Sequence, residues 1–267
     1  MIARTRVLLR GGGEMASAAA RLLFACGFRV AVLETGSPLA VRRLVSFAEA
    51  VRCGRLAVEG VEGRRIEAAD LEAALGDGAF VPVLVDPGAA CLARLAPEAL
   101  VDARMAKRNL GTRRSEAPLV VGVGPGFVAG RDVHAVVETQ RGPDLGRVIW
   151  SGAAEADSAT PSPVMGFSEE RVLRAPRSGR FQGAVSIGDV VPSGARVGEV
   201  EGVPVTAAIP GLVRGLLADG VQVDAGVKLG DVDPRGSAVD AARISDKGRA
   251  VAAGVLEAVL TGLKGRL

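Results

Sequence analysis

The chain opens on an apolar run, Val7-Leu8-Leu9, that breaks into Gly11-Gly12-Gly13 and then into a helical pattern from Met15 to Cys26. A second apolar run begins at Phe28 and closes on a carboxylate, Glu34. Short apolar runs bounded by turn residues read as strands buried on both faces, as in parallel sheets. The same texture returns at residues 81–86, ending in Asp86, at 99–102, ending in Asp102, at 118–123, and at 133–139. Helices are expected at 38–51 (Ser37 as cap, Pro38 in the first turn), at 70–75, and from a Ser245 cap to about Leu263. Short strands are expected on either side of Glu59-Gly60. Strands alternating with helices predict a Rossmann-like α/β domain with a mostly parallel sheet over residues 1–165.

Beyond a Ser/Pro-rich stretch at 152–166 the pattern changes to short β segments and turns. Gly179, Gly188, Gly194, Gly198 and Val200 recur as Gly211, Gly220, Gly226, Gly230 and Val232, each 32 residues on. Each unit is too short to bury a core alone, so the two must interlock. This region, 166–236, resembles the barrel-sandwich hybrid of biotinyl and lipoyl domains. Those carry their cofactor on a lysine in the hairpin between halves. The corresponding residues here, 201–205, hold no lysine, which argues against a swinging-arm carrier. Residues 237–267 are expected to be a helix that packs back or makes a homo-oligomer contact.

Composition narrows the class. In 267 residues there are 33 basic and 30 acidic side chains, a formal charge of +3, with few aromatics and no Tyr. That balance, without a long basic block or stacking rings, excludes a nucleic-acid binder. The N-terminal apolar stretch is interrupted by Arg10, Glu14, Arg21 and Arg29, so no membrane span is expected. Cys26, Cys53 and Cys91 are scattered, which argues against a disulfide framework or a zinc site and for a reducing cytoplasm. No metal ligands are assigned.

The chemistry-bearing candidates lie at strand ends. Gly11-x-Gly13-x-x-Ala16 fits the dinucleotide fingerprint, with Glu34 at about the spacing of the acid that accepts ribose hydroxyls. Gly11, Gly12 and Gly13 let a phosphate approach the backbone, and the following helix N-terminus offers free N–H groups. Glu14 in that first turn is either a structural cap or the holder of a metal between itself and the ligand. Arg42 and Arg43 stand where they meet a phosphate, or pair with Glu34 or Glu49. Asp102 is followed by Arg104, Lys107 and Arg108 at helical spacing and by Asn109, the densest basic cluster, suited to a phosphate or oxyanion. Gly124 and Gly126 form a second glycine-rich turn. His134 is the only histidine; alternation puts it on one face with Glu138, so the two are the candidate acid/base pair.

Taken in order, residues 10–14 (Arg-Gly-Gly-Gly-Glu), 38–43, 102–109, 124–127, 134–139, 145–149, 231–235 and 245–247 (Ser-Asp-Lys) resemble the YqeB-like family. That family is associated with selenium-dependent molybdenum hydroxylases as a maturation or accessory protein, and is distantly similar to XdhC-type factors. Its usual acid after the glycines is Asp; Glu14 keeps the charge with a longer reach. The resemblance implies a cytoplasmic maturation factor that binds a nucleotide or nucleotide-containing cofactor, NAD(P) or molybdopterin (dinucleotide). Its expected partner is a molybdenum hydroxylase or its maturation machinery. Two other readings stay open: an NAD(P)-dependent enzyme using His134, and a non-catalytic scaffold docking a hydroxylase.

Overall fold

A computed structural model describes residues 2–264 and divides the chain into two units. Of the described residues, the first comprises 2–38, 45–157 and 244–264; the second comprises Leu39–Leu44 and Ser158–Arg243.

In the first unit, strand β1 (Arg6–Arg10) leads through the glycines into helix α1 (Glu14–Ala25) and strand β2 (Arg29–Glu34). Then follow α2 (Ala50–Cys53), β3 (Arg55–Val58), β4 (Val61–Ile66), α3 (Leu71–Asp77), β5 (Val81–Val85) and α4 (Leu92–Leu95). The chain continues through β6 (Ala99–Asp102), β7 (Leu119–Val123), β8 (Val128–Ala129), β9 (Ala135–Val137), β10 (Val148–Ile149) and β11 (Gly152–Ala153). Nine strands form one sheet in the order β10-β9-β7-β6-β1-β2-β5-β4-β3. All neighbours from β9 to β4 pair in parallel, and only the edge strands β10 and β3 are antiparallel. Alternate residues face opposite sides. Val7, Leu9, Val30, Val32, Val101 and Val121 bury against α1 on one face; Leu8, Ala31, Leu33, Leu100 and Val120 bury with Leu71 and Leu95 on the other. The apolar runs are continuous because neither face meets water.

Ser245 caps the last helix, α5 (Asp246–Gly262), accepting the Gly248 N–H at 3.0 Å. Helix α5 packs on α1, with Val251, Val255, Ala258 and Val259 buried in the shared core. Among the described residues no helix is long and apolar enough to cross a membrane.

Two helical expectations fail. Residues 38–42 are not helical, and 43–53 hold only two 3-10 turns and α2. Long-range backbone bonds compete with helix here: the Val41 carbonyl accepts the Leu216 N–H at 2.8 Å, and the Gly12 carbonyl accepts the Ala48 N–H at 2.9 Å. The basic run 103–113 is a loop, with left-handed backbone at Met105 and Lys107. Asp102 accepts the Arg104 N–H, and the Asn109 side-chain Oδ1 accepts the Gly111 and Thr112 N–H groups. Such local side-chain bonds offer the backbone an alternative to helix.

The second unit is built from antiparallel strands: β12 (Val172–Arg174), β13 (Gly179–Gly183), β14 (Val190–Val191), β15 (Arg196–Val200), β16 (Val203–Thr206), β17 (Gly211–Leu216), β18 (Gln222–Val223) and β19 (Lys228–Asp233). They form two four-stranded sheets, β12-β19-β17-β14 and β16-β15-β13-β18. The sequence repeat is visible in the pairing. The short strand of each half, β14 or β18, pairs with the first strand of the other half, β17 or β13. Phe181 and Val213, equivalent by the repeat, are both fully buried in the shared core. The halves therefore interlock, as their size demands.

Candidate functional site

The sheet order places a topological switch between β1 and β6. From β1 the chain runs outward through β2, then returns beyond β5 to lay β6 on the other side of β1. The crevice beyond the carboxyl ends of these strands is where open α/β sheets bind ligands. The loops after β1 and β6 meet there.

The three glycines have different jobs. Gly11 has φ +91°, and a Cβ on it would lie 3.0 Å from the Arg104 Cα. A Cβ on Gly12 would lie 2.8 Å from the Ala48 backbone nitrogen. Both are glycine because protein backbone passes close by. Gly13 is the N-cap of α1, with extended backbone and nothing within 4 Å of where a Cβ would stand. The Met15 N–H forms no hydrogen bond among the described residues, and Met15 is only partly buried, whereas Ala16 beyond it is fully buried. This is the opening a ligand can use.

Glu34 is placed beside the turn, but its carboxylate accepts the Gly12 and Thr35 N–H groups, each at 2.7 Å. It braces the glycine turn. Glu14 reaches across to the other helix, where its Oε1 accepts the Ser245 N–H at 2.9 Å. The first turns of α1 and α5 are thereby brought side by side.

Beneath the crevice lies a charged network. The Arg10 guanidinium forks onto Glu116 at 2.8 and 3.0 Å and donates to the Thr112 hydroxyl at 2.5 Å. That hydroxyl donates to Asp102 at 2.6 Å, and Asp102 also accepts the Arg104 guanidinium at 2.5 and 3.0 Å. Burial alone would raise the Glu116 carboxyl, but the Arg10 fork holds it below the usual range. Asp102 and Arg104 thus build the floor together, while Asn109 closes its loop with a further bond from its amide to the Thr112 carbonyl at 2.9 Å.

At the rim, Lys107 pairs with Asp157 at 3.2 Å. Arg108 is exposed, and its backbone lies 2.6 Å from where a Gly126 Cβ would stand. A Cβ on Gly124 would lie 2.8 Å from the Thr139 hydroxyl. The second glycine turn therefore serves the packing of the loops after β6, β7 and β9. Arg42 and Arg43 belong to the second unit. Arg42 donates to the Ala241 and Arg243 carbonyls and Arg43 to the Leu216 carbonyl.

The proposed acid/base pair is separated. His134 lies just before β9 and Glu138 just after it, about 13 Å apart along an extended chain. His134 Nδ1 accepts the Val120 N–H at 2.9 Å, near the opening residue of β7 and away from the crevice. Burial, helped by Arg114, lowers its pKa and keeps the ring neutral. Glu138 is buried and accepts the N–H groups of Thr139, Gln140 and Glu155 at 2.6–2.7 Å. It organises the loop beyond β9.

Sequence reasoning passed over Lys247. It sits in the first turn of α5, half-buried, with no hydrogen bond or ion pair among the described residues. Burial, and then the neighbouring Lys107 and Arg141, lower its pKa against the opposing pull of Asp157 and Glu14. Arg141 itself forks onto Asp246 at 2.5 and 2.9 Å. The sequence signal was present in Ser245-Asp-Lys247, but nothing in the linear pattern placed α5 beside α1.

No family model matches the chain. Among solved structures, similarity extends to the product-bound ectoine utilization protein EutE (DoeB) of Ruegeria pomeroyi, at 13% identity, 86% and 85% coverage of the two chains and a TM-score of 0.26. An aspartoacylase family protein of Mesorhizobium loti gives 9% identity, the same coverages and a TM-score of 0.26. A curated protein, the uncharacterized protein YqeB of Escherichia coli (strain K12), is 45% identical over 257 residues, covering 95% of this chain and 47% of that protein. The chain spans about half the length of this relative, and its similarity to YqeB runs along nearly the whole of this chain.

Proposed function

We propose that this chain binds a nucleotide or nucleotide-containing cofactor in the crevice between β1 and β6, as an accessory or maturation factor for a selenium-dependent molybdenum hydroxylase. The observation that carries the reading is the open start of α1. Gly13 faces free space, the Met15 amide is unused, and Lys247 stands half-buried and unpaired on the adjoining helix turn. Amides at a helix N-terminus and an unpaired cation favour a phosphate or other oxyanion. An anionic ligand would offset the unfavourable burial of the Lys247 charge. The maturation role comes from the YqeB resemblance, and NAD(P) and molybdopterin dinucleotide both present phosphates that fit this set. We also read the second unit as a biotinyl/lipoyl-type barrel-sandwich hybrid without a carrier. Its halves interlock, and the β15–β16 turn is Glu201-Gly202, both in the left-handed region, with no lysine.

The test is thermal shift against NAD, NADP, ATP, CTP and molybdate, with native mass spectrometry of freshly purified protein. A ligand at about 100 times its Kd adds roughly 2.7 kcal/mol of stability. At least one probe should raise the melting point of the wild type. Lys247→Met should lose that rise while matching or exceeding the wild type without ligand. No retained mass and no shift with any probe would remove the reading.

A further inference from the structure

Helices α1 and α5 leave a half-open pocket with room for about 220 Å³, lined by Ala18, Arg21, Leu22, Ile244, Arg249 and Ala252. It is apolar apart from two cations, and those differ. Arg249 is paired with Glu59 Oε1 at 2.6 Å, an oxygen that also accepts the Ile244 N–H at 3.0 Å. Arg21 forms no hydrogen bond or ion pair among the described residues, and its Nε is buried without a partner. Ala18, Arg21 and Leu22 stand at i, i+3 and i+4, so the arginine interrupts an otherwise apolar stripe. Arg21 as a whole is only partly buried, so its terminal nitrogens reach water, but a buried Nε–H without an acceptor is destabilising, and packing alone would favour Leu or Met there. The cavity is also separate from the nucleotide crevice. That crevice opens at the first turn of α1, and none of the residues assigned to it lines this cavity.

We propose that this cavity binds a small aliphatic monocarboxylate, with its carboxylate on Arg21 and its chain against Ala18, Leu22, Ile244 and Ala252. Size sets the length. An enclosed cavity of about 150 Å³ holds benzene, so the roughly 220 Å³ inside this half-open pocket takes a body of roughly eight non-hydrogen atoms, that of hexanoate. Charge sets the class. With Arg249 already neutralised by Glu59, one cation remains for one anionic group, and Glu59 repels a second.

The experiment is calorimetric titration of the full chain with hexanoate, hexanol and acetate. Hexanoate should bind at least tenfold more tightly than either control, since hexanol lacks the charge and acetate lacks the chain. This arm needs no variant. Arg21→Gln should weaken hexanoate at least tenfold and leave the melting point equal to or above that of the wild type. Hexanoate binding no better than hexanol or acetate would overturn the proposal. So would unchanged affinity in Arg21→Gln, or a melting point lowered in that variant with no carboxylate binding in the wild type. None of these outcomes depends on whether a nucleotide occupies the crevice.

Discussion

Gly12 and Gly13 are neighbours in the chain, yet a methyl group on each should have opposite consequences. At Gly12 it would stand 2.8 Å from the Ala48 nitrogen, 3.1 Å from the Ala48 Cα and 3.1 Å from Val32 Cγ1. Backbone lies on one side and a fully buried strand residue on the other, so neither yields cheaply. Overpacking of this kind costs about 1–3 kcal/mol. At Gly13 the backbone is extended (φ −67°, ψ 179°) and the space is free. Gly13→Ala gives up the N-cap preference of glycine over alanine, about 1 kcal/mol or less. It recovers about 0.4–1 kcal/mol by restricting the unfolded chain. The two nearly cancel. In a unit of this size each kcal/mol moves Tm by about 2–4 °C. Thermal unfolding should therefore place Gly12→Ala roughly 2–12 °C below the wild type and Gly13→Ala within about 2 °C of it. With a nucleotide present the order changes in kind: Gly13→Ala keeps its fold but loses the ligand-induced rise, because its methyl fills the approach to the Met15 amide. Equal destabilisation by the two substitutions would refute the assignment of Gly12 to packing and Gly13 to access.

Two further outcomes follow from the ionisable groups. Glu116→Gln leaves the buried Arg10 guanidinium without its countercharge, and denaturant unfolding should show a loss of roughly 3 kcal/mol. Because the folded-state pKa of Glu116 lies below its ordinary value, its contribution is present above about pH 4.5 and fades as pH falls through the folded value, so the gap between wild type and variant should close in acid. His134 also has its pKa lowered by folding, so the neutral ring's contribution holds above about pH 6.5 and is lost as pH falls through the folded value. His134→Asn keeps an acceptor for the Val120 N–H but does not titrate; its stability should fall less steeply than that of the wild type between pH 7 and 5, and parallel curves would disprove the role given to the imidazole.

Much of the frame was legible in the linear pattern. The strand–glycine–helix–strand start, the apolar runs at 81–86, 99–102 and 118–123, and the Ser245 cap all appear where the pattern puts them, because burial on both sheet faces and capping act locally. The repeat of 32 residues was legible for the same reason: neither half has enough residues for a core, so size alone requires the two to interlock. The side-chain assignments were less legible. Charge and position at a strand end suggested ligand contacts for Glu34, Glu138 and Asn109, yet each spends its oxygens on nearby N–H groups. An acid beside a tight turn satisfies buried amides before it meets a ligand, and sequence does not distinguish the two uses. Arg42, Arg43 and the run from Arg104 to Arg108 looked helical by spacing, but contacts with β17 and with Asp102 overrode that local preference.

The sequence by itself determined the sheet strands, the capped last helix and the doubled β unit, since these follow from periodicity, burial and chain length. Only the tertiary structure decided which glycine is open, that His134 and Glu138 lie at opposite ends of a strand, and that α5 sets Lys247 beside the start of α1 and Arg21 into a cavity. Those facts depend on pairs of residues far apart in the chain, as Glu14 and Ser245 are, and on close contacts between backbone segments that no local pattern records.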